Sequence, residues 1–211
     1  MSYPILYEVN EVDFNHNGLG ILTDAVSCTV TEERNGAFEI EMKYPMDGRL
    51  GEALMIDRVL KVDTSHQQKD QLFRIKRIDK NHKGMLEVYG QHVSYLTTDL
   101  AMPAKISIPN VVGGTVDAQV AMNQWRDAII GNHPIQVSSD VRTQASTELT
   151  LREYQNARDV LGGVNGSILS NWGGEFLWDN YHIRLLTNRG GRVNTLISYG
   201  RNCVTRFLIS A

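Results

Sequence analysis

The residue types that catalyse reactions or bind metals occur in this chain at spacings that build no recognisable site. Its six histidines are scattered along the sequence, at positions 16, 66, 82, 92, 133 and 182. No two of them have the i, i+4 spacing of a helical zinc site, and Cys28 and Cys203 are distant from each other. The sequence therefore predicts no catalytic residues, no metal ligands and no cofactor.

Cys28 and Cys203 are the two candidates for a thiol nucleophile. Cys28 falls on the apolar face of a predicted strand, where burial raises the pKa of a thiol and makes it unreactive. Cys203 stands beside the apolar Val204. The start of the sequence has no basic region followed by an apolar run, so we expect no signal peptide and no oxidising compartment. We therefore expect two structural free thiols and no disulfide.

Two further patterns bear on acid–base catalysis and on anion binding. Catalysis would need paired carboxylates, and anion binding would need a glycine-rich turn before a helix. The candidates are Asp57 with Asp63, Glu32 with Glu33, and the turn Gly113-Gly114. Acidic residues beside strands are typical of a solvated face, and no Gly-Lys-Ser/Thr follows the two glycines. These patterns favour a solvent-facing surface and a linker.

The tryptophans fall on apolar faces of the predicted elements. Trp125, Trp172 and Trp178 are therefore predicted to anchor the core. Exposed aromatic rings would instead stack on sugar rings. Trp172, Trp178 and Tyr181 accordingly define an alternative function, a carbohydrate- or receptor-binding module.

The composition is that of an ordinary globular protein, with 211 residues, 42% hydrophobic and 21% charged. A chain of this length buries about 70% of its unfolded surface, so it needs no disulfide or metal for stability. The net charge is −3, without the basic excess of an electrostatic nucleic-acid binder. No stretch approaches the roughly 20 apolar residues of a membrane-spanning helix, so we expect no membrane-spanning segment.

The first hundred residues alternate between apolar and polar side chains, which predicts β-strands. Asn35-Gly36 is a hairpin signal because both residues tolerate positive φ. A shift of phase between Ile75 and Ile78 predicts a β-bulge. The predicted strands cover residues 25–32, 38–44, 58–64, 71–79 and 85–92. Consecutive antiparallel hairpins of this kind are typical of a sandwich or a barrel-like sheet.

The pattern changes near Pro103, and Pro109 and Gly113-Gly114 frame a linker. Thr115 is predicted to cap a helix over residues 115–130. Further predicted elements are strands at 137–141 and 147–151, helical pieces within 157–172, a hairpin around Asp179-Asn180, and late strands at 195–199 and 204–210. We therefore divide the chain into a β domain (1–100), an α+β domain (101–194) and late strands (195–211).

Six segments carry a family resemblance through their order and spacing. In chain order they are residues 31–40 (TEERNGAFEI), 44–45 (YP), 71–75 (QLFRI), 92–95 (HVSY), 173–176 (GGEF) and 197–202 (ISYGRN). Together they resemble the prophage endopeptidase-tail family, also called tail-associated lysins or phage minor structural proteins. The resemblance spans about residues 23–202.

The resemblance implies a β-rich α+β fold similar to that of phage baseplate hub proteins. In that fold a barrel-like antiparallel tube domain carries an inserted α+β domain. Residues 195–211 would return to the first sheet or start a second tube domain. The implied role is structural: a hub module at the phage tail tip, which joins the tail tube to the apparatus for host-cell attachment or penetration.

The resemblance also implies partners and a location. The partners are two further copies in a homotrimer, a ring of distal tail protein, the tape measure protein and other baseplate proteins. The location is the virion tail tip, after synthesis and assembly in the cytoplasm of the bacterial host. Many family members continue into a peptidase, a glycosidase or a fibre-like region. Because the matched segments carry no catalytic residues, we expect no enzymatic activity from this chain; a cell-wall hydrolase is the second alternative function.

A hub implies a channel through which DNA passes without specific binding. Such a channel should lack basic stripes, because each phosphate that Lys or Arg neutralises adds affinity. The candidate channel residues are Glu39 and Glu41, with Glu32 and Glu33 near the hairpin turn. An ordinary solubilising face is the alternative interpretation of these four residues.

Overall fold

The computed structural model describes residues 3–65, 68–111 and 113–190. The late strands predicted over 195–211 lie outside the described residues, as do His66 and Cys203. None of the described helices is long and apolar enough to cross a membrane.

A seven-stranded antiparallel sheet occupies the first part of the chain and curls into a half-barrel. Its spatial order is β2-β1-β5-β6-β7-β4-β3. The strands are β1 (Ile5–Tyr7), β2 (Gly20–Ile21), β3 (Ser27–Glu32), β4 (Phe38–Pro45), β5 (Val59–Val62), β6 (Gln71–Lys80) and β7 (Met85–His92). The short strands β1 and β2 were not predicted individually, because each is too short to show an alternating pattern. The last five strands of the list correspond to the five predicted ones.

The alternation predicted for β4 is confirmed. Phe38, Ile40, Met42 and Tyr44 are buried, whereas Glu41 and Lys43 are exposed. Side chains on successive strand residues point to opposite faces, so this strand has one face in the core and one in solvent. The concave face of the half-barrel is therefore the apolar one.

The β-bulge predicted in β6 is also confirmed. The register between β6 and β7 shifts between Ile75 and Arg77. Gly90 of β7 lies opposite both Ile75 of β6 and Ile40 of β4. A Cβ atom at Gly90 would lie 2.9 Å from the Ile40 Cγ2 atom and 3.1 Å from the Arg74 carbonyl oxygen. Close approach of these strands beside the bulge therefore requires a glycine.

The second part of the chain combines three short helices with two small sheets. The first sheet pairs β8 (Lys105–Ile108) with β10 (Thr147–Thr150), and the second has the order β11-β12-β9. The remaining elements are α1 (Ala118–Ala128), β9 (Gln136–Ser139), α2 (Ala157–Leu161), α3 (Ile168–Trp172), β11 (Glu175–Asp179) and β12 (His182–Leu186). A 3₁₀ helix, Val93–Thr98, connects the two parts.

Two details of this second part differ from the sequence prediction. Asp117, rather than Thr115, caps α1, because its carboxylate accepts a hydrogen bond from the Val120 N–H at 3.0 Å. Strand β8 lies between Pro103 and Pro109, in a segment for which no strand was predicted. Its short apolar–polar pattern became a strand because β10 supplies a partner from more than thirty residues later in the chain.

The larger of the two hydrophobic core clusters among the described residues extends through both parts of the chain. Trp125 of α1 is fully buried, and its Nε1–H donates to the Ala157 carbonyl oxygen at 2.9 Å. Trp172 of α3 donates to the Val116 carbonyl oxygen at 2.8 Å. The prediction that the tryptophans anchor the core is confirmed, since Trp178 is buried as well.

Replacement of the strand glycine, Gly90→Ala, should lower the free energy of unfolding by about 1–3 kcal/mol, because the new methyl group overpacks a backbone contact. Urea denaturation measures this change. Glu87→Ala, on the exposed side of the same strand, is the matched control and should change stability by less than about 0.5 kcal/mol. Equal effects of the two substitutions would contradict the packing argument.

Candidate functional site

The best-defined polar cluster in the described structure lies where the half-barrel meets the β11–β12 hairpin. Gln71 opens β6 and His92 closes β7, so both stand at the same end of the sheet. Asn180 lies in the turn between β11 and β12. We refer to Gln71, His92, Ser94, Arg158 and Asn180 together as the junction.

His92 is at the centre of the junction and is 1% exposed. Its Nδ1 atom lies 2.9 Å from Ser94 Oγ and accepts the Ser94 backbone N–H at 3.3 Å. Because a neutral imidazole has one donor and one acceptor, Nε2 carries the proton and donates to Gln71 Oε1 at 3.1 Å. The ring stacks on Phe38, with 4.3 Å between the ring centroids.

The environment of His92 favours the neutral ring. Burial, and secondarily the positive charge of Arg158, lower the pKa of His92 to about 3. No carboxylate contacts the ring among the described residues. His92 is thus a structural hydrogen-bonding group at neutral pH rather than an acid or a base.

Asn180 connects the hairpin turn to the first residues of β6. Its Oδ1 atom accepts the Leu72 N–H at 2.8 Å, and its Nδ2 donates to the Asp70 carbonyl oxygen at 3.0 Å. The Asn180 backbone N–H donates to Gln71 Oε1 at 3.3 Å. Asn180 adopts a φ of 53°, which asparagine tolerates better than most residues. The turn residue therefore fixes the hairpin against the sheet.

Arg158 of α2 lies between two aromatic rings. Its guanidinium carbon is 4.2 Å from the centroid of the Tyr95 ring and 4.3 Å from that of Trp178. Nη1 donates to the Ser94 carbonyl oxygen at 3.4 Å. Burial lowers the pKa of Arg158 from its usual value. Cation–π contacts of a desolvated arginine are the stronger kind, so this side chain joins α2, the 3₁₀ helix and β11.

A second set of contacts joins the tip of the β3–β4 hairpin to β11. Asn35 Oδ1 accepts the Phe176 N–H at 2.7 Å, and the Arg34 Nη2 atom lies 2.8 Å from Glu175 Oε1. The turn differs from the two-residue type predicted, because only Asn35 of the Asn35-Gly36 pair has a positive φ, 54°. The Asn35 side chain is held by β11, which selects a longer loop between Glu33 and Ala37.

Two serine–histidine contacts invite comparison with nucleophilic catalysis. Besides Ser94 with His92, Ser138 Oγ lies 2.9 Å from His182 Nε2. An activated serine needs a histidine that a third group orients, most often a carboxylate. In the described part of the chain, neither histidine has such a carboxylate. The same part contains no group of three His, Cys, Asp or Glu side chains that could hold a metal ion.

The two candidate carboxylate pairs, for which a solvated face was the favoured interpretation, do not form catalytic pairs. Asp57 precedes β5 and Asp63 follows it, so a whole strand separates them. Glu32 Oε1 lies 2.7 Å from Arg189 Nη2, whereas Glu33 accepts the Ala37 N–H at 3.4 Å. Glu32 and Glu33 thus have different partners, because neighbouring residues at a strand end point in opposite directions.

The structure disfavours an anion site at Gly113-Gly114, the less favoured interpretation of these glycines. These glycines do precede α1, but the Asp117 carboxylate already occupies the helix N-terminus. A fixed negative charge at that position repels a phosphate. The glycines, with φ of 75° and 116°, supply backbone freedom in the connecting segment.

The aromatic residues of the carbohydrate-binding alternative are not available for stacking. Trp172 and Trp178 are 2% and 3% exposed, and Phe176 and Arg158 lie against Trp178. Tyr181 is half-buried and packs against the core. A sugar platform needs an exposed ring face, so the buried tryptophans remove the basis of this alternative.

Glu39 and Glu41 lie on the convex face of the half-barrel. Glu41 stands opposite Tyr89 of β7, and Tyr89 stands opposite Arg77 of β6. Burial and a hydrogen bond to Glu39 raise the pKa of Tyr89 to about 12. The next row along the sheet contains Lys43, so charges of both signs alternate on this face. The channel role of these glutamates stays a prediction.

The Cys28 thiol is half-buried on β3. Burial raises its pKa to about 11, so the thiolate is scarce at neutral pH. This agrees with the prediction that the thiol is unreactive.

Comparison with solved structures gives a match for almost the whole chain. Prophage tail protein gp18 from Listeria monocytogenes EGD-e superposes with a TM-score of 0.58, covering 95% of this chain and 56% of that one at 16% identity. The chain has the fold of a prophage tail protein. It spans 56% of the length of gp18, and at this identity the match concerns the fold alone. No protein-family model and no curated protein matches the chain.

The junction contains residues that the sequence prediction missed as a group. Gln71, Arg158 and Asn180 come from three distant segments, so no local pattern connects them. The burial of His92, in contrast, could have been predicted from the sequence. The alternation that puts Leu86 and Val88 on the core face of β7 continues to position 92, which predicts a buried histidine in need of partners.

The buried histidine makes stability depend on pH. Because the pKa of His92 is near 3 in the folded protein and near 6.5 in the unfolded chain, the unfolded chain binds more protons between these values. The free energy of unfolding should therefore fall as the pH decreases below 6.5, by up to about 1.4 kcal/mol per pH unit from this residue. Urea denaturation at several pH values between about 7 and 4 measures the slope.

His92→Gln preserves a donor toward Gln71 and removes the titration, so its slope should be shallower than that of the wild type over this range. His82→Gln, in an exposed turn, is the matched control and should retain the wild-type slope. Identical slopes for wild type and His92→Gln would show that His92 does not cause the pH dependence.

Proposed function

We propose that this chain is a structural component of a phage tail, and that it acts as the hub module between the tail tube and the distal tip. The observation that carries the proposal is the fold match to a prophage tail protein over 95% of the chain. The resemblance of the six sequence segments to the endopeptidase-tail family supports the finer assignment to the hub. Four of these segments, 31–40, 71–75, 92–95 and 173–176, meet at the junction or at the adjacent hairpin contact.

The proposed hub is a homotrimer that binds the ring of distal tail protein, the tape measure protein and other baseplate proteins. It is made in the host cytoplasm and is located at the virion tail tip. DNA passes through the trimer without specific binding. The net charge of −3 and the mixed charges of the convex face support weak interaction with DNA, because neither offers a basic stripe.

The proposed role is structural and not enzymatic. The serine–histidine contacts lack an orienting carboxylate in the described part of the chain, and the pKa of Cys28 is raised rather than lowered. These features support a module whose side chains stabilise the fold. Clearing of bacterial cell walls by residues 1–211 in a zymogram would contradict this role and favour the hydrolase alternative.

Immunogold labelling tests the tail-tip location. Antibody raised against residues 1–211 should label the distal end of the tail on virions of the phage that encodes the chain. Virions from a lysogen in which the gene is deleted are the control for antibody specificity. Label on the capsid or along the tail shaft, or absence of the chain from purified virions, would contradict the proposal.

Assembly and DNA passage have a separate test. Mixed with the distal tail protein of the same phage, the chain should form complexes with three copies per ring, as measured by native mass spectrometry. In a gel-shift assay at about 0.15 M salt, these complexes should not retain linear duplex DNA. A chain that stays monomeric on the ring would contradict the hub, and tight, salt-sensitive DNA retention would contradict free passage.

A further inference from the structure

Arg158 of α2 carries a positive charge that no acidic side chain of this sequence neutralises. The side chain is half-buried between the rings of Tyr95 and Trp178. It belongs to none of the ion pairs in the described ranges. All 24 Asp and Glu residues of the sequence lie within those ranges, so no further acidic side chain of the sequence remains to pair with it. A desolvated charge without a partner is costly, which points to an acceptor from elsewhere.

Other half-buried cations of this chain have their own carboxylates. Three such pairs are Arg58–Glu8 at 3.1 Å, Lys61–Asp70 at 3.5 Å and Arg189–Glu32 at 2.7 Å. Arg74 and Arg184 lack a carboxylate as Arg158 does, but aromatic rings face the guanidinium group of Arg158 on two sides. Because both faces of this group are covered, its edge is the direction left for a partner.

One edge of the Arg158 guanidinium group is unoccupied. Nη1 donates to the Ser94 carbonyl oxygen at 3.4 Å and to Thr97 Oγ1 at 3.5 Å, and both acceptors are uncharged. Nε and Nη2 have no hydrogen-bond partner among the described residues, and both reach the solvent-accessible surface. We call these two atoms the free edge. A guanidinium edge of this kind donates two parallel hydrogen bonds to the two oxygens of one carboxylate.

The surroundings of Arg158 have more donors than acceptors. Trp178, which stacks against the guanidinium group, is 3% exposed, and its Nε1–H has no acceptor among the described residues. Asp159 follows Arg158 in the sequence, but its Oδ2 atom accepts the Gln155 N–H at 2.9 Å. Its carboxylate therefore caps the start of α2 and makes no ion pair with Arg158. An uncompensated positive charge among donors favours an anion as the partner.

A protein is a better source of this anion than the solvent. One partly exposed cation pairs only weakly with a free anion in water, whereas a docked protein holds its carboxylate at a high effective concentration. Two copies of this chain, each with a net charge of −3, repel each other on average. We propose that the free edge of Arg158 binds the carboxylate of an Asp or Glu in a different protein of the assembled tail. The inference rests on the proposed function, because the tail supplies the partner.

Zero-length cross-linking tests the proposal in particles of the phage that encodes the chain. Particles with Arg158→Lys carry an amine at this position, and a water-soluble carbodiimide joins an amine to a carboxylate in contact with it. Peptide mass analysis should find position 158 joined to an Asp or Glu of a different tail protein. Arg152→Lys, in an exposed turn before α2, is the matched control and should give at least about tenfold less of such a product.

The wild-type protein gives an independent readout that needs no variant to fold or assemble. Phenylglyoxal modifies guanidinium groups that are accessible and unpaired. Arg158 should react in the isolated full chain and react at least about tenfold more slowly in intact particles, because the partner carboxylate occupies the free edge. Peptide mass analysis measures both rates.

The outcomes separate this proposal from the proposed function. Particles that contain the chain but give no cross-link at position 158 would overturn this proposal and leave the structural role in the tail intact. Equal phenylglyoxal reactivity of Arg158 in the isolated chain and in particles would also overturn it. A cross-link to a second copy, or within one copy, would contradict the assignment to a different protein. Absence of the chain from purified particles would overturn the proposed function, and with it the partner proposed here.

Discussion

The arrangement of this protein depends on the burial of polar groups that cannot be left without partners. His92, Gln71 and Ser94 lie inside the protein, where an unmade hydrogen bond costs about 1–3 kcal/mol. His92 hydrogen-bonds to Ser94 and to Gln71. Gln71 in turn bonds to Asp179 of β11 and to the Asn180 N–H in the β11–β12 turn, so the position of the hairpin completes the cluster. A shifted hairpin would still bury apolar surface, but it would leave several of these groups unpaired. Apolar burial thus brings the two parts together, and the polar cluster selects one arrangement.

The need to pair buried polar groups also explains why segments far apart in the sequence come together at the junction. The hairpin tip at Asn35 meets Phe176, and Gln71 meets both His92 and Asn180. Each contact joins residues on different elements, so the order and spacing of the segments must agree before the junction can form. Interfaces between parts of one chain are by default mobile. Here a continuous core and the hydrogen bonds of the junction oppose such motion.

Local patterns predicted most of the half-barrel. The alternation of β4, the bounds of β7 and the bulge after Ile75 follow from nearest neighbours in sequence, because side-chain period alone decides which face is buried. The alternation of apolar and polar residues did not predict the local structure where a partner distant in sequence determines it. Strand β8 exists because β10 pairs with it, and the Asn35 turn is longer than predicted because β11 holds its side chain.

The candidate site was harder to predict than the fold, for a related physical reason. Gln71, Arg158 and Asn180 follow no characteristic spacing in the sequence. Their side chains hold separate elements together, and they are not arranged around a reacting atom. A catalytic motif can be recognised in a sequence when one short segment must place several reactive groups around the same site. This chain distributes its polar groups over β6, β7, α2 and the β11–β12 turn, and each side chain stabilises the position of another element. Such a distribution agrees with the structural role proposed above, because in such a role the relative placement of surfaces matters more than the chemistry of one pocket.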